Sequence, residues 1–237
     1  MQICASRDRQ SSRALERRMT TAGREQIGAK GERTRRQIIE GALQALATGG
    51  VAATTTRDIA AGAGVRLATL HYHFESKSAL LLAVLEHLID ETITALREET
   101  GETANIASCI RESLRAGWRY LTRTLELQIV QYELTLYALR RDDAAGLAGY
   151  QYDAYIKVYQ DILQGVAART GELDAAGCAD VARFMLAGID GLLLQELAKP
   201  NRTRSSRAIE TLIAATQVFA SGLSNERKTS KRAAPRN

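Results

Sequence analysis

Apolar residues recur along this chain at intervals of three and four rather than two, a spacing that predicts helices and no strand. Between Arg33 and Thr48, the residues Ile38, Ile39, Ala42, Leu43 and Leu46 share one helical face, and Gly49 with Gly50 is expected to end the element. A second helix is expected to open at Thr55, whose hydroxyl can cap free N–H groups while Asp58, three residues on, completes a capping box. Its inward residues are Ile59, Ala60 and Ala63. Gly64 then supplies a left-handed turn at no steric cost, so that Val65 packs inward and a third helix starts at Arg66 or Leu67. Leu70 and Phe74 fall on its buried side, and Ala60 is small enough to let the two helices cross closely. Three short helices with one tight glycine turn make a helix-turn-helix, with the last helix presented to solvent.

The rest of the chain predicts longer helices. Ser76 and Ser78 can cap one that carries Leu80, Leu81, Val84, Leu85, Leu88 and Leu96 and ends near Gly101. Ile106, Ile110, Leu114, Trp118, Leu121 and Leu125 form the next stripe. The segment LELQIVQYELTLYAL is apolar around most of its circumference and is expected to be enclosed by other helices. Tyr152, Tyr155, Tyr159 and Ile162 line one face of the following helix. Two more come last, separated by Pro200 and Asn201. The fold class is therefore all-α, in four parts: a disordered basic extension over 1–30, a helix-turn-helix domain over 31–76, a larger helical domain over 77–223 and a disordered basic tail over 224–237. Met19 is a second candidate start, and deletion of residues 1–18 is expected to leave folding and binding intact.

Charge sharpens this division. Residues 1–80 hold 13 Lys/Arg against 7 Asp/Glu, residues 81–223 hold 14 against 19, and residues 224–237 hold 5 against 1. A basic end joined to an acidic body points to a polyanion partner for the former. At 237 residues and 45% hydrophobic content, the chain is globular for most of its length. Cys4, Cys109 and Cys178 are odd in number and lack a metal-ligand spacing, which fits a reducing cytoplasm. No run reaches the ~20 apolar residues of a membrane span, and no signal peptide is legible.

A helix-turn-helix binds because its last helix fits the major groove of B-DNA while groups at the helix ends hold phosphates. Thr55, Thr56 and Arg57 open the second helix, where hydroxyls, free N–H groups and a guanidinium suit one DNA backbone strand. Arg66, Leu67, Ala68 and Thr69 open the third. Thr69 can bond a base edge, whereas Leu67 and Ala68 can only touch a thymine methyl or pack. Tyr72 and His73 offer aromatic surface with hydrogen-bonding groups, and Lys77 can reach a phosphate.

The stretches TTTRDIAAGAGV, ATLHYHF and SKSALL resemble the TetR family of bacterial transcriptional regulators over residues 33 to about 90. The resemblance implies a three-helix DNA-binding domain joined to a ligand-binding and dimerisation domain of six or more helices. It also implies DNA contacts at Thr56, Arg57, Thr69, Tyr72, His73 and Lys77, and a homodimer that acts as a ligand-responsive repressor on a palindromic operator. One position departs from the family pattern: His71 stands where a tyrosine is usual, giving a shorter reach to phosphate and a charge that depends on pH.

In the acidic body, Ala187, Gly188, Gly191 and Gln195 lie near one helical face and are candidates for a close helix pairing between two copies. The alternative is packing within the chain. Trp118, Tyr132, Tyr137, Tyr152, Tyr155, Tyr159, Phe184 and Met185 are candidates for lining a pocket for an apolar or aromatic small molecule, with Glu133 as its polar anchor. Plain core and an ion-paired carboxylate are the competing readings. His71 and His73 point to different sides and cannot share a metal, and His87 with Glu91 has no third ligand. No catalytic motif, cofactor or membrane partner is expected. A sequence-nonspecific DNA-binding protein and a helical small-molecule carrier remain as alternatives to the regulator.

Overall fold

A computed structural model describes residues 30–142 and 144–233, the side chains of Ala145 and of 226–233 excepted. The expectations for residues 1–29 and 234–237 lie outside these. Among the described residues there are nine helices and no strand. They are α1 (30–53), α2 (Thr56–Gly62), α3 (Leu67–His73), α4 (Lys77–Glu99), α5 (Ile106–Arg123), α6 (Leu125–Leu139), α7 (Ala145–Thr170), α8 (Ala175–Ala198) and α9 (Arg202–Ala233). The chain divides into two compact units between Leu80 and Leu81, inside α4.

The core of the first unit is the predicted one: Ile38, Ile39, Ala42, Leu43, Leu46, Ile59, Leu70 and Phe74 are all buried. One detail differs from the sequence reading. Gly49 and Gly50 do not end α1; helical hydrogen bonding continues to residue 53, with Gly50 at φ +74° bending the chain on the way. The buried Thr54 hydroxyl closes the bend by donating to the Gly50 carbonyl at 2.7 Å. A further close approach, between α1 and α2, is made at Gly41: a Cβ on Gly41 would lie 2.5 Å from the Ala63 backbone. Gln37 uses that proximity, donating through Nε2 to the Ala63 carbonyl at 2.7 Å and so satisfying the end of α2.

The second unit has one large core, built from α5, α7, α8 and α9 with the C-terminal part of α4. Ile110, Leu114, Trp118, Tyr159, Val181, Met185 and Ile213 are among its members. On α7 the fully buried position is Leu163, while the predicted Ile162 is only half-buried, because the stripe drifts round the helix over its length. Ser76 caps α4 by accepting from the Ala79 amide at 3.0 Å. Ser78 does not: its hydroxyl is buried without a partner. Asn105 caps α5 in a reciprocal box with Ser108, a signal the sequence reading passed over.

Two further expectations are overturned. α6 is not enclosed: Ile129, Leu136 and Leu139 are exposed, while Gln128, Gln131 and Thr135 are buried. Each makes a side-chain hydrogen bond there, Gln128 through Nε2 alone, which a hydropathy pattern cannot anticipate. α9 runs to Ala233 rather than giving way to a disordered tail at 224. Glu, Arg, Lys and Ala, frequent after Leu223, are good helix formers, and extending an existing helix avoids the cost of nucleation.

Candidate DNA-reading head and effector cavity

The first unit displays α3 through two local devices. Thr55 caps α2 with the reciprocal box expected: its Oγ1 accepts from the Asp58 amide at 3.3 Å, and its amide donates to Asp58 Oδ2 at 2.8 Å. The Thr55 hydroxyl also donates to Asp58 Oδ2, and these bonds hold the exposed carboxyl below its ordinary pKa. Gly64 then sits at φ +63°, the left-handed conformation, and Val65 becomes half-buried. The Val65 amide reaches back to the Ala60 carbonyl at 3.0 Å, and α3 starts at Leu67 with Arg66 before it.

Within α3 only Leu70 is buried. Tyr72 is 86% exposed, and Arg57, Arg66, Ala68 and His71 are exposed as well. Thr56, Leu67, Thr69 and His73 are half-buried at the same surface unit. The Tyr72 and His73 rings meet edge to face at 5.3 Å. Two candidates already have structural work. The single proton of the Thr55 hydroxyl is engaged by Asp58. Lys77 is half-buried, donating through Nζ to the Val51 carbonyl at 3.0 Å, which leaves two of its three N–H groups for other acceptors.

The second unit contains a small cavity of about 30 Å³. Thr92 and Leu96 of α4, Leu121 of α5, Gln128 and Gln131 of α6, Tyr155 and Tyr159 of α7, and Leu186, Ile189, Asp190 and Leu193 of α8 line it. Of the predicted ligand residues, Tyr155 and Tyr159 are at its wall, and Tyr132 and Tyr152 stand behind it, both donating to the Asp190 carboxylate. Burial and the Asp190 charge push the Tyr152 phenol up to about 12 and the Tyr132 phenol higher still, so both remain protonated donors at neutral pH. Tyr155 donates to Gln131 Oε1 at 3.2 Å. Thr135 donates to Gln151 Oε1 at 2.8 Å.

The other nominated residues lie elsewhere. Trp118 and Met185 are core, Phe184 is exposed beside Phe219 with ring centroids 5.3 Å apart, and Tyr137 packs beneath the Arg141 guanidinium. Glu133 is half-buried and does not line the cavity; the carboxylate that does is Asp190. Its signal was present in the sequence as the lone acid of the apolar run MLAGIDGLLL. Among the described residues no cluster of three metal-ligating side chains occurs; His87 simply pairs with Glu91 at 3.3 Å.

On the outer face of α8 and α9, Phe184, Leu194, Val218 and Phe219 are exposed. Ala187 and Gln195 are exposed beside them, and Gly191 is half-buried. Gly188 instead packs inside the chain, where a Cβ would come within 2.3 Å of Leu212 Cδ1. Beyond this face the α8–α9 turn is closed by a buried carboxylate. Glu196 accepts from the Ser205 hydroxyl and, at 3.2 Å, from the Asn201 amide, with Arg204 at 3.9 Å. These partners, Ser205 foremost, hold it below the ordinary glutamate pKa.

A displayed recognition helix on a three-helix unit, followed by a helical body with an internal cavity, defines a DNA-binding, ligand-responsive transcriptional regulator. Residues 38–84 match the bacterial regulatory proteins of the tetR family, and residues 103–216 match the tetracyclin repressor-like C-terminal domain. The HTH-type transcriptional regulator TtgR of Pseudomonas putida is 30% identical over 177 residues, which cover 72% of this chain and 83% of that protein. The HTH-type nicotine-responsive transcriptional repressor HdnoR of Paenarthrobacter nicotinovorans is 26% identical over 180 residues, 76% of this chain and 91% of its own. Among solved structures, the multidrug binding protein EbrR complexed with imidazole is similar with a TM-score of 0.56 at 26% identity, over 75% of this chain and 87% of that one. The chain belongs to the TetR family. Among its described residues no helix is long and apolar enough to cross a membrane.

Proposed function

We propose that two copies of the chain pair through the outer faces of α8 and α9, set their α3 helices on the two halves of a palindromic operator and repress transcription in the bacterial cytoplasm, without carrying out a chemical step. The observation that carries this reading is the exposure of α3 around a single buried residue, Leu70. Thr56, Arg57 and Lys77 hold phosphates and fix the register, while Thr55, its donors taken by Asp58, keeps the start of α2 in place. Thr69 reads a base edge, with Leu67 and Ala68 against thymine methyls. Arg66, His71, Tyr72 and His73 contact sugar, phosphate or neighbouring bases. Pairing through Phe184, Leu194, Val218 and Phe219 removes the largest exposed apolar side chains of α8 and α9 from water. A two-fold axis then spaces the reading helices by one turn of DNA, ~34 to 36 Å.

An apolar or aromatic effector, seated among Tyr155, Tyr159 and the leucines of the cavity, releases the operator. It acts by binding one spacing of the reading heads more tightly than the other. The nicotine-responsive and multidrug-binding relatives support an organic ligand of this kind. Thr92 and Leu96 of the cavity belong to α4, the helix whose first residues lie in the DNA-reading unit, and α4 is the natural carrier of the signal.

The test begins with genomic fragments selected by the protein at ~150 mM salt against excess competitor DNA, conditions under which specific binding persists and nonspecific binding fades. A palindromic site bound by a dimer is the expected outcome, with Tyr72→Ala and Arg57→Ala each weakening it at least tenfold while the dimer stays intact. Uniform binding to all fragments favours a DNA-coating protein, and ligand binding with no selected site favours a carrier; either result overturns the reading.

A further inference from the structure

Two acceptors belonging to residues of the effector cavity, Gln128 Oε1 and the Asp190 carboxylate, have no cation beside them. Gln128 is 2% exposed; its Nε2 is occupied, donating to Thr124 Oγ1 at 3.0 Å, while its Oε1 is buried without any partner. Asp190 lines the same cavity, and its carboxylate is met by the neutral phenols of Tyr132 and Tyr152 and, among the described residues, by no cation. Two nearby hydroxyl donors are spent elsewhere. Thr92 donates to the Leu88 carbonyl at 2.8 Å and Tyr155 to Gln131 Oε1, and no Lys, Arg or His lines the wall. A buried acceptor left unpaired costs free energy until something donates to it, and a carboxylate facing an apolar wall favours a positive partner.

We propose that the effector carries a protonated amine on an apolar or aromatic body, with its N–H groups held between Gln128 Oε1 and the Asp190 carboxylate. This rests on the cavity being the effector site and adds to it the charge class of the ligand. A volume of about 30 Å³ is about that of one water, so it suits a single polar head group. The body of the ligand displaces side chains among Leu121, Leu186 and Leu193. An anionic ligand is disfavoured by Asp190, and a neutral hydroxyl satisfies Gln128 but leaves the charge unanswered. Tyr132 and Tyr152 are positioning residues: their phenols fix the carboxylate without neutralising it.

Calorimetric titration of the full chain, without DNA, with 1-naphthylmethylamine, 1-naphthalenemethanol and 1-naphthoate at neutral pH compares three head groups on one ring. The expected order is the amine at least tenfold tighter than the alcohol, with no binding of the naphthoate. Asp190→Asn brings the amine to the level of the alcohol, and Gln128→Leu weakens it severalfold. With the unaltered protein, the preference for the amine is also lost as pH rises through the amine's own pKa, a result that needs no variant to fold. Equal binding of amine and alcohol, tighter binding of the naphthoate, binding of none of the three, or a preference unchanged in Asp190→Asn overturns the proposal. If the amine binds as expected but leaves operator affinity unchanged, the charge class stands and the regulatory role of the cavity falls.

Discussion

The two units of this chain put similar amphipathic helices to opposite use. In residues 30–80 the apolar side chains go in and, Thr54 apart, the polar ones stay at least partly out: Ile38, Leu46, Ile59 and Leu70 are buried, while Arg57, Arg66, His71 and Tyr72 face solvent. In the second unit the order is partly reversed, with Gln128, Gln131, Thr135 and Glu196 buried and Ile129, Leu136, Phe184 and Leu194 exposed. Surfaces suited to different partners are built differently. B-DNA presents much the same polyanion everywhere, and a capped helix, a glycine turn and a displayed helix are enough to meet it. A pocket for one small molecule needs polar groups taken inside, where each must be bonded, and apolar groups left outside serve a protein partner.

Four substitutions test how separate the two constructions are. Gly41→Val has the largest expected effect, because its Cβ meets the Ala63 backbone rather than a flexible side-chain end. It should destabilise the first unit by about 3 kcal/mol, seen as lost hydrogen-exchange protection in α1–α3 with α5–α9 unchanged. Equal loss in both units would break the comparison. Glu196→Gln should destabilise the second unit by about 2 kcal/mol, because it removes a charged acceptor from the Ser205 hydroxyl and the Asn201 amide. Since the folded protein holds Glu196 below its ordinary pKa, the contribution is complete above that ordinary value and is lost as pH falls through the folded one. Acid unfolding of the variant should therefore show a shallower dependence on pH than that of the parent, and matching curves would refute the assignment.

Gly64→Ala comes next, at about 1 to 2 kcal/mol, because alanine resists the left-handed backbone found at φ +63°. Thermal unfolding measures it, and a neutral result would mean that the turn can be made another way. Tyr72→Ala should change stability by no more than about 0.5 kcal/mol, its side chain being 86% exposed. A larger shift in chemical denaturation would show that Tyr72 supports the fold rather than the surface.

The first unit was largely legible in the sequence because its structure is local. The Thr55–Asp58 box, the Gly64 turn and the i, i+4 pair Leu70–Phe74 each lie within a few residues, and each is found where the spacing places it. What was missed there is long-range: Gly41 against Ala63, and Gln37 closing the end of α2. The candidate cavity of the second unit was legible only in part. Aromatic spacing led to Tyr155 and Tyr159, and Asp190 stands out as the lone acid of its apolar run, but its partners lie on other helices, and nothing in the pattern marks Gln128. The enclosed α6 was misread for the same reason, since an apolar composition does not say which side a helix turns inward.

Lys77 opens α4, and its ammonium is fastened to the Val51 carbonyl in the last turn of α1. A helix rooted in this way would turn as a crankshaft rather than swing as a hinge. Were α4 to roll about its long axis, it would have to snap that tether or drag the end of α1 with it, just ahead of Thr55, where α2 begins.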